Sequence, residues 1–145
     1  NTGVMQTGWK KVASRWYYLK SSGAMAQGWI KDGRIWYYLN YGSGALATGW
    51  IKDAGKWYFA DSSGAMKTGW IKVKGAWYYL NASGVMQTGW FKVGSTWYYA
   101  NSSGVMLTNR WIGGTYWVGS NGAMAKNAWV DGGRYWVGAD GRWRG

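Results

Sequence analysis

Gly23-Ala24-Met25-Ala26-Gln27-Gly28-Trp29-Ile30-Lys31-Asp32-Gly33-Arg34-Ile35-Trp36-Tyr37-Tyr38-Leu39-Asn40-Tyr41-Gly42 is one period of this chain, and its reading decides the fold. The phrase Gly-Trp recurs at Gly8-Trp9, Gly28-Trp29, Gly49-Trp50, Gly69-Trp70 and Gly89-Trp90, a step of 20 or 21 residues. A second Trp follows seven residues later, at Trp16, Trp36, Trp57, Trp77 and Trp97, and opens a Trp-Tyr-Tyr or Trp-Tyr-Phe triplet. A period near 20 residues is the mark of a stacked repeat array. Within the period, Asp32-Gly33 predicts a two-residue hairpin turn, because Gly tolerates positive φ. Pairing outward sets Lys31 opposite Arg34, Ile30 opposite Ile35 and Trp29 opposite Trp36. Side chains alternate across a strand, so Trp29, Lys31, Arg34, Trp36 and Tyr38 share one face, and Ile30, Ile35, Tyr37 and Leu39 the other. The same arithmetic centres the other turns on Val12-Ala13, Asp53-Ala54, Val73-Lys74 and Val93-Gly94, with longer loops shifted toward Gly55, Gly75 or Ser95 as the alternative. A lone hairpin is marginal in water, so each must stack on its neighbours.

Between hairpins run polar, glycine-bearing turns such as Lys20-Ser21-Ser22-Gly23 and Asn101-Ser102-Ser103-Gly104. Each precedes an apolar residue, unbranched at Met5, Met25, Met66, Met86, Met106 and Met124, with Leu46 in that place once. Met fills irregular gaps and contacts aromatic rings well.

The 145 residues are read as one repeat array of about seven hairpins, with five regular repeats over residues 1–105 and two variant repeats with a terminal cap over 106–145. Asn1-Thr2-Gly3-Val4-Met5 matches the end of a repeat, as if the module were cut from a longer protein. In the variant part, Gly113-Gly114 and Gly132-Gly133 predict tight turns, Trp111 is set opposite Tyr116, and Trp143 stands in the Met position. Terminal repeats of such arrays are usually atypical.

Aromatic residues make up 20% of the chain, with 15 Trp, far more than a core of this size requires. The absence of Cys and His from the sequence excludes disulfides, thiolate metal sites and the commonest catalytic bases and nucleophiles. The only carboxylates are Asp32, Asp53, Asp61, Asp131 and Asp140, most of them at predicted turns, where Asp has a conformational role. A non-catalytic binding module is expected, with no cofactor and no metal. The formal charge of +12 favours an anionic partner. No apolar run reaches the length of a transmembrane helix. Nucleic acid is not expected, although basic residues interleaved with aromatics can stack single-stranded bases.

The pattern of Gly-Trp, a short turn, Trp-Tyr-Tyr and then Asn-x-x-Gly-x-Met-x-x-Gly-Trp resembles the choline-binding repeats of Gram-positive cell-wall proteins. The likeness covers essentially the whole chain. The glucan-binding repeats of glucansucrases and the repeats of clostridial toxins are weaker cousins. The resemblance implies an all-β fold, a β-solenoid of about seven stacked hairpins in a left-handed superhelix. It also implies choline sites between successive hairpins, each lined by Trp and Tyr with a Met or Leu. One hairpin is expected to give its two Trp, drawn from Trp9, Trp16, Trp29, Trp36, Trp50, Trp57, Trp70, Trp77, Trp90 and Trp97. The next gives a third wall, for which Tyr38, Phe59, Tyr79 and Tyr99 are the candidates. Met25, Leu46, Met66 and Met86 close the cages. Lys11, Lys31, Lys52, Lys72 and Lys92 follow the first Trp by two on the same face and are candidate contacts to polymer phosphates. The expected partner is choline or phosphocholine on teichoic or lipoteichoic acid, bound multivalently. The alternatives are a glucan or other wall polysaccharide stacked on the rings, or another anionic wall polymer. The implied location is extracellular, held non-covalently at the cell surface, and a homodimer is compatible with the sequence.

Overall fold

The computed structural model describes residues 6–145, so the repeat-end match over residues 1–5 lies outside it. The fold is all-β, a solenoid-type array, and the described residues form seven two-stranded antiparallel hairpins. They are β1 (Gly8–Val12) with β2 (Arg15–Leu19), β3 (Gly28–Asp32) with β4 (Ile35–Leu39), and β5 (Gly49–Asp53) with β6 (Lys56–Ala60). Then come β7 (Gly69–Val73) with β8 (Ala76–Leu80), β9 (Gly89–Val93) with β10 (Thr96–Ala100), β11 (Arg110–Ile112) with β12 (Tyr116–Val118), and β13 (Ala128–Val130) with β14 (Tyr135–Val137). Two compact units are present. The first runs to Thr68 and includes Ala82–Val85; the second holds Gly69–Asn81 and Met86–Gly145.

The regular turns sit one residue later than the sequence predicts. Ala13-Ser14, Gly33-Arg34, Ala54-Gly55, Lys74-Gly75 and Gly94-Ser95 are the turn residues. Lys31 therefore faces Trp36, and Trp29 faces Tyr38 rather than Trp36. The reason is local. Gly33 and Gly94, at φ of 66° and 61°, are the first residues of their turns, the place where a type II′ turn wants glycine. Ala54-Gly55 and Lys74-Gly75 have positive φ at both positions, as type I′ requires. A shift of both partners leaves parity intact, so Trp29, Lys31, Trp36 and Tyr38 still share a face, and Ile30, Tyr37 and Leu39 the other. Arg34 moves off the sheet into the turn.

The variant hairpins differ more. Trp111 pairs with Trp117, not with Tyr116, across the loop Gly113–Thr115. Tyr116 instead pairs with Ile112 and so lies on the face away from Trp111. Trp129 pairs with Trp136 in the last hairpin.

The two faces of a hairpin look toward different neighbours. Tyr38, from the Trp face of the β3–β4 hairpin, is buried with Ile51, from the opposite face of β5, together with Ala47 and Ala60. Tyr79 and Phe91 repeat this relation in the second unit, stacked 5.3 Å apart. The linkers complete the stacking. The N–H of Leu46 donates to the Trp16 carbonyl at 2.8 Å and that of Met66 to the Trp36 carbonyl at 2.9 Å, so each linker ties down the hairpin before its own. The linker residue then lies against the turn glycine of the next linker. A Cβ on Gly64 would come to 2.6 Å of a Leu46 methyl, and one on Gly84 to 2.7 Å of the Met66 sulfur. Both glycines also hold φ near +86°, at 87° and 85°, where a side chain is strained.

Candidate ligand cages

Among the described residues, open clefts recur with the repeat, four of them as follows. Trp9, Trp16, Tyr37 and Leu46 line one of about 370 Å³, with Ser62 and Ser63 at its rim. Trp29, Trp36, Tyr58 and Met66 line a tighter one of about 220 Å³, rimmed by Ser83. In the second unit, Trp70, Trp77, Tyr98 and Met106 enclose about 430 Å³, with Thr108, Ser120 and Asn121. Trp90, Trp97, Tyr116 and Met124 enclose about 400 Å³, with Asp140.

Each cleft is assembled from separate pieces of chain. One hairpin gives two near-perpendicular indoles, as in Trp9 and Trp16 at 6.5 Å and 84° or Trp70 and Trp77 at 6.4 Å and 86°. The next hairpin gives a Tyr edge-on to the first Trp. The ring centres are 4.9 Å apart for Trp9–Tyr37, Trp29–Tyr58 and Trp70–Tyr98, and 5.4 Å for Trp90–Tyr116. The linker after that second hairpin gives Met or Leu. The second Trp stays open to solvent: Trp16 is 42% exposed and Trp97 37%. A ring serving only as core would not be left so bare.

The third wall is therefore the middle residue of the triplet, not the last. Tyr38 packs edge-on against its own hairpin's Trp29 at 4.9 Å and is buried. Phe59, Tyr79 and Tyr99 lie the same way against Trp50, Trp70 and Trp90, at 5.0, 5.0 and 5.1 Å. A hairpin meets its predecessor with the face opposite its own Trp pair, and that face carries the middle Tyr. Alternation puts Tyr37, Tyr58, Tyr98 and Tyr116 on that face, but only the stacking of successive hairpins shows that this face meets the preceding Trp pair. Met106 and Met124 were also missed, although they continue the Met series. Met25 lines none of the four clefts. It follows the β1–β2 hairpin and lies against Gly44, because a linker residue closes the cleft of the hairpin before its own. Trp50 and Trp57 keep the paired geometry, at 6.4 Å and 89°, and Met86 lies against Gly104.

The periodic lysines are drawn onto the rings. Lys11, Lys31, Lys52, Lys72 and Lys92 each place Nζ 5.7 or 5.8 Å from the centre of their cross-strand Trp, within cation–π reach. Two of the aspartates act as clamps between hairpins in the first unit. Asp32 accepts the Trp9 indole N–H at 2.8 Å, and Asp53 that of Trp29 at 3.1 Å. Asp131 does the same for Trp111 at 3.1 Å in the second unit.

The rims differ in chemistry. Ser63 donates its hydroxyl to Asp61 at 2.6 Å, and this bond above all holds the Asp61 carboxyl below its usual range. Asp140 stands at the corresponding place in the last cleft. The Arg142 backbone N–H and then the Arg144 guanidinium hold its carboxyl low, so it is anionic at neutral pH. Among the described residues no group of three His, Cys, Asp or Glu side chains is placed to hold a metal. Among the described residues no helix is long and apolar enough to cross a membrane.

Choline-binding repeats match residues 6–48, 47–83 and 67–111 in one form, and 105–143 in a second. The chain belongs to the choline-binding repeat family. Choline-binding repeats of known structure superpose on it closely. CbpJ from Streptococcus pneumoniae TIGR4 is 45% identical over 96% of this chain and 48% of its own, with a TM-score of 0.86. Choline binding protein F from the same species, solved in the presence of a peptidoglycan analogue, is 44% identical over 99% of this chain and 48% of its own, with a TM-score of 0.88. The choline-binding domain of CbpL from Streptococcus pneumoniae is 34% identical over 97% of this chain and 98% of its own, with a TM-score of 0.63. This choline-binding repeat array thus spans about half the length of CbpJ and choline binding protein F. Among curated protein sequences none matches.

Proposed function

We propose that this chain is a non-catalytic module that holds a larger protein at a Gram-positive cell surface by binding the choline of phosphocholine-bearing teichoic or lipoteichoic acid. The period runs unbroken through Gly49, Gly69 and Gly89, and on this reading the chain acts as one array. The observation that carries the reading is the recurring cleft with two Trp from one hairpin, the middle Tyr of the next and a Met or Leu. A quaternary ammonium has no hydrogen-bond donor and a diffuse charge, which ring faces accommodate. Three such contacts at about 0.5–2 kcal/mol each give roughly 2–5 kcal/mol before costs, a site in the millimolar range. Weak sites become useful when several engage one polymer, since later contacts are intramolecular. The lysines beside the second Trp and the hydroxyls at the rims supply polar partners for the phosphate that accompanies choline on such a polymer.

Calorimetry with choline chloride, alongside Trp fluorescence, tests this. Saturable binding with several equivalents per chain is expected. No heat and no fluorescence change up to about 50 mM, a limit set by the millimolar estimate, would overturn it and favour stacking on a wall polysaccharide, read as retardation on a glucan gel.

A further inference from the structure

The variant hairpins contain an aromatic cluster outside the four clefts, and we propose that Trp111, Tyr135 and Trp143 form a further site for a quaternary ammonium, with one wall supplied from the opposite side. The proposal rests on the choline reading above. The backbone fixes the correspondence. In the regular clefts the linker residue donates its N–H to the carbonyl of the second Trp, as Met106 does to Trp77 at 2.9 Å and Met124 to Trp97 at 2.8 Å. In the last cluster Trp143 donates to Thr115 at 2.8 Å. Thr115 thus stands where the second Trp should be, and Trp143 where Met should be. Val137 bridges Trp143 as Val118 bridges Met124.

The remaining pieces keep their places. Trp111 is the first Trp and bonds Asp131 as Trp9 bonds Asp32. Tyr135 pairs with Val130 as Tyr37 pairs with Ile30, which makes it the third wall. The strand has lost an indole, and the linker has gained one.

The substituted indole restores the spacing. Trp111 and Trp143 are 6.4 Å apart, the separation of Trp70 and Trp77. Trp111–Tyr135 and Tyr135–Trp143 are 5.8 and 6.0 Å apart, and the three interplanar angles are 63°, 80° and 83°. A cation seated among three steeply inclined rings whose centres are roughly 6 Å apart would lie about 4–5 Å from each, inside the ~6 Å reach of a cation–π contact. Trp143 is 46% exposed, so its ring is within reach of a dissolved ligand.

Fluorine NMR of the chain labelled with 5-fluorotryptophan and titrated with choline chloride tests the site. Trp97→Phe and Trp143→Phe assign one resonance from a regular cleft and one from the cluster. Both are expected to shift and saturate. Movement of Trp97 with Trp143 stationary overturns this inference and leaves the choline reading standing. Neither resonance moving overturns the reading, and the inference with it. As a second measure, Trp143→Met restores the ordinary linker residue, and equilibrium dialysis should then show one choline fewer per chain. An unchanged count also overturns the inference.

Discussion

The Trp9 indole donates to Asp32, a residue of the following hairpin, at 2.8 Å. The bond ties the floor of one cleft to the hairpin that builds its third wall. Val73 and Val93 occupy the strand position held by Asp32 and Asp53, so a valine is sterically acceptable there. Asp32→Val should therefore fold. It should lower the unfolding free energy by about 1 kcal/mol, at the low end for a charged acceptor because the bond is exposed. The midpoint of thermal unfolding should fall by about 3 °C. A midpoint equal to wild type would show that the bond adds nothing.

The two tyrosines of one triplet should separate function from folding. Tyr37→Leu removes a cleft wall and should weaken that site about tenfold, seen in calorimetry as one site dropping out. Tyr38→Leu should leave the number of sites unchanged while lowering stability by about 2 kcal/mol, the order expected for a poorly matched core replacement. The reverse pattern would return Tyr38 to the role that the sequence alone suggested for it.

Tyr38 also gives a pH signature. Burial first, and then the Asp53 carboxylate, raise its phenol above the ordinary value of 10.0. The folded state therefore holds the proton more tightly than the unfolded chain. That stability is complete below pH 10 and is lost as pH rises through the folded value. Between about pH 9 and pH 11 wild type should lose more stability than Tyr38→Phe, measured as the shift in urea midpoint. Equal shifts would mean that Tyr38 titrates as an ordinary phenol.

Lys31 lies 5.7 Å from the Trp36 ring and puts a positive charge beside the cleft. Two like charges about 7 Å apart repel by roughly 0.6 kcal/mol in water. Lys31→Gln should therefore bind free choline up to about threefold more tightly at that site, and less so as salt is added. Phosphocholine should lose affinity in the same variant, because its phosphate loses a cation. Parallel changes for the two ligands would remove the lysine from any role in recognising phosphate.

The hairpins, their number and, in the five regular repeats, their faces were legible in the chain because a period of two survives a one-residue error in turn placement. The turn itself was misplaced at Asp32-Gly33, where φ at Gly33 rather than the dipeptide decides the type. The Trp pairs of the clefts were legible from their seven-residue spacing. The third wall was not, because it depends on which face a hairpin turns toward its predecessor. Nothing within one period encodes that. The pairing of Trp111 with Trp117 was hidden for a similar reason, since Gly113-Gly114 fits a loop of two residues or of three.

Each cleft draws its parts from one hairpin, the next hairpin, the linker after it and the turn beyond that. The cleft is thus out of phase with the unit of folding. A gene rearrangement that adds or removes one whole period can break the chain at any point within it. The new neighbours still bring together two Trp, a middle Tyr and a Met. Such an array gains or loses one cleft per period and keeps the rest intact, so the number of its clefts can be raised or lowered by recombination alone.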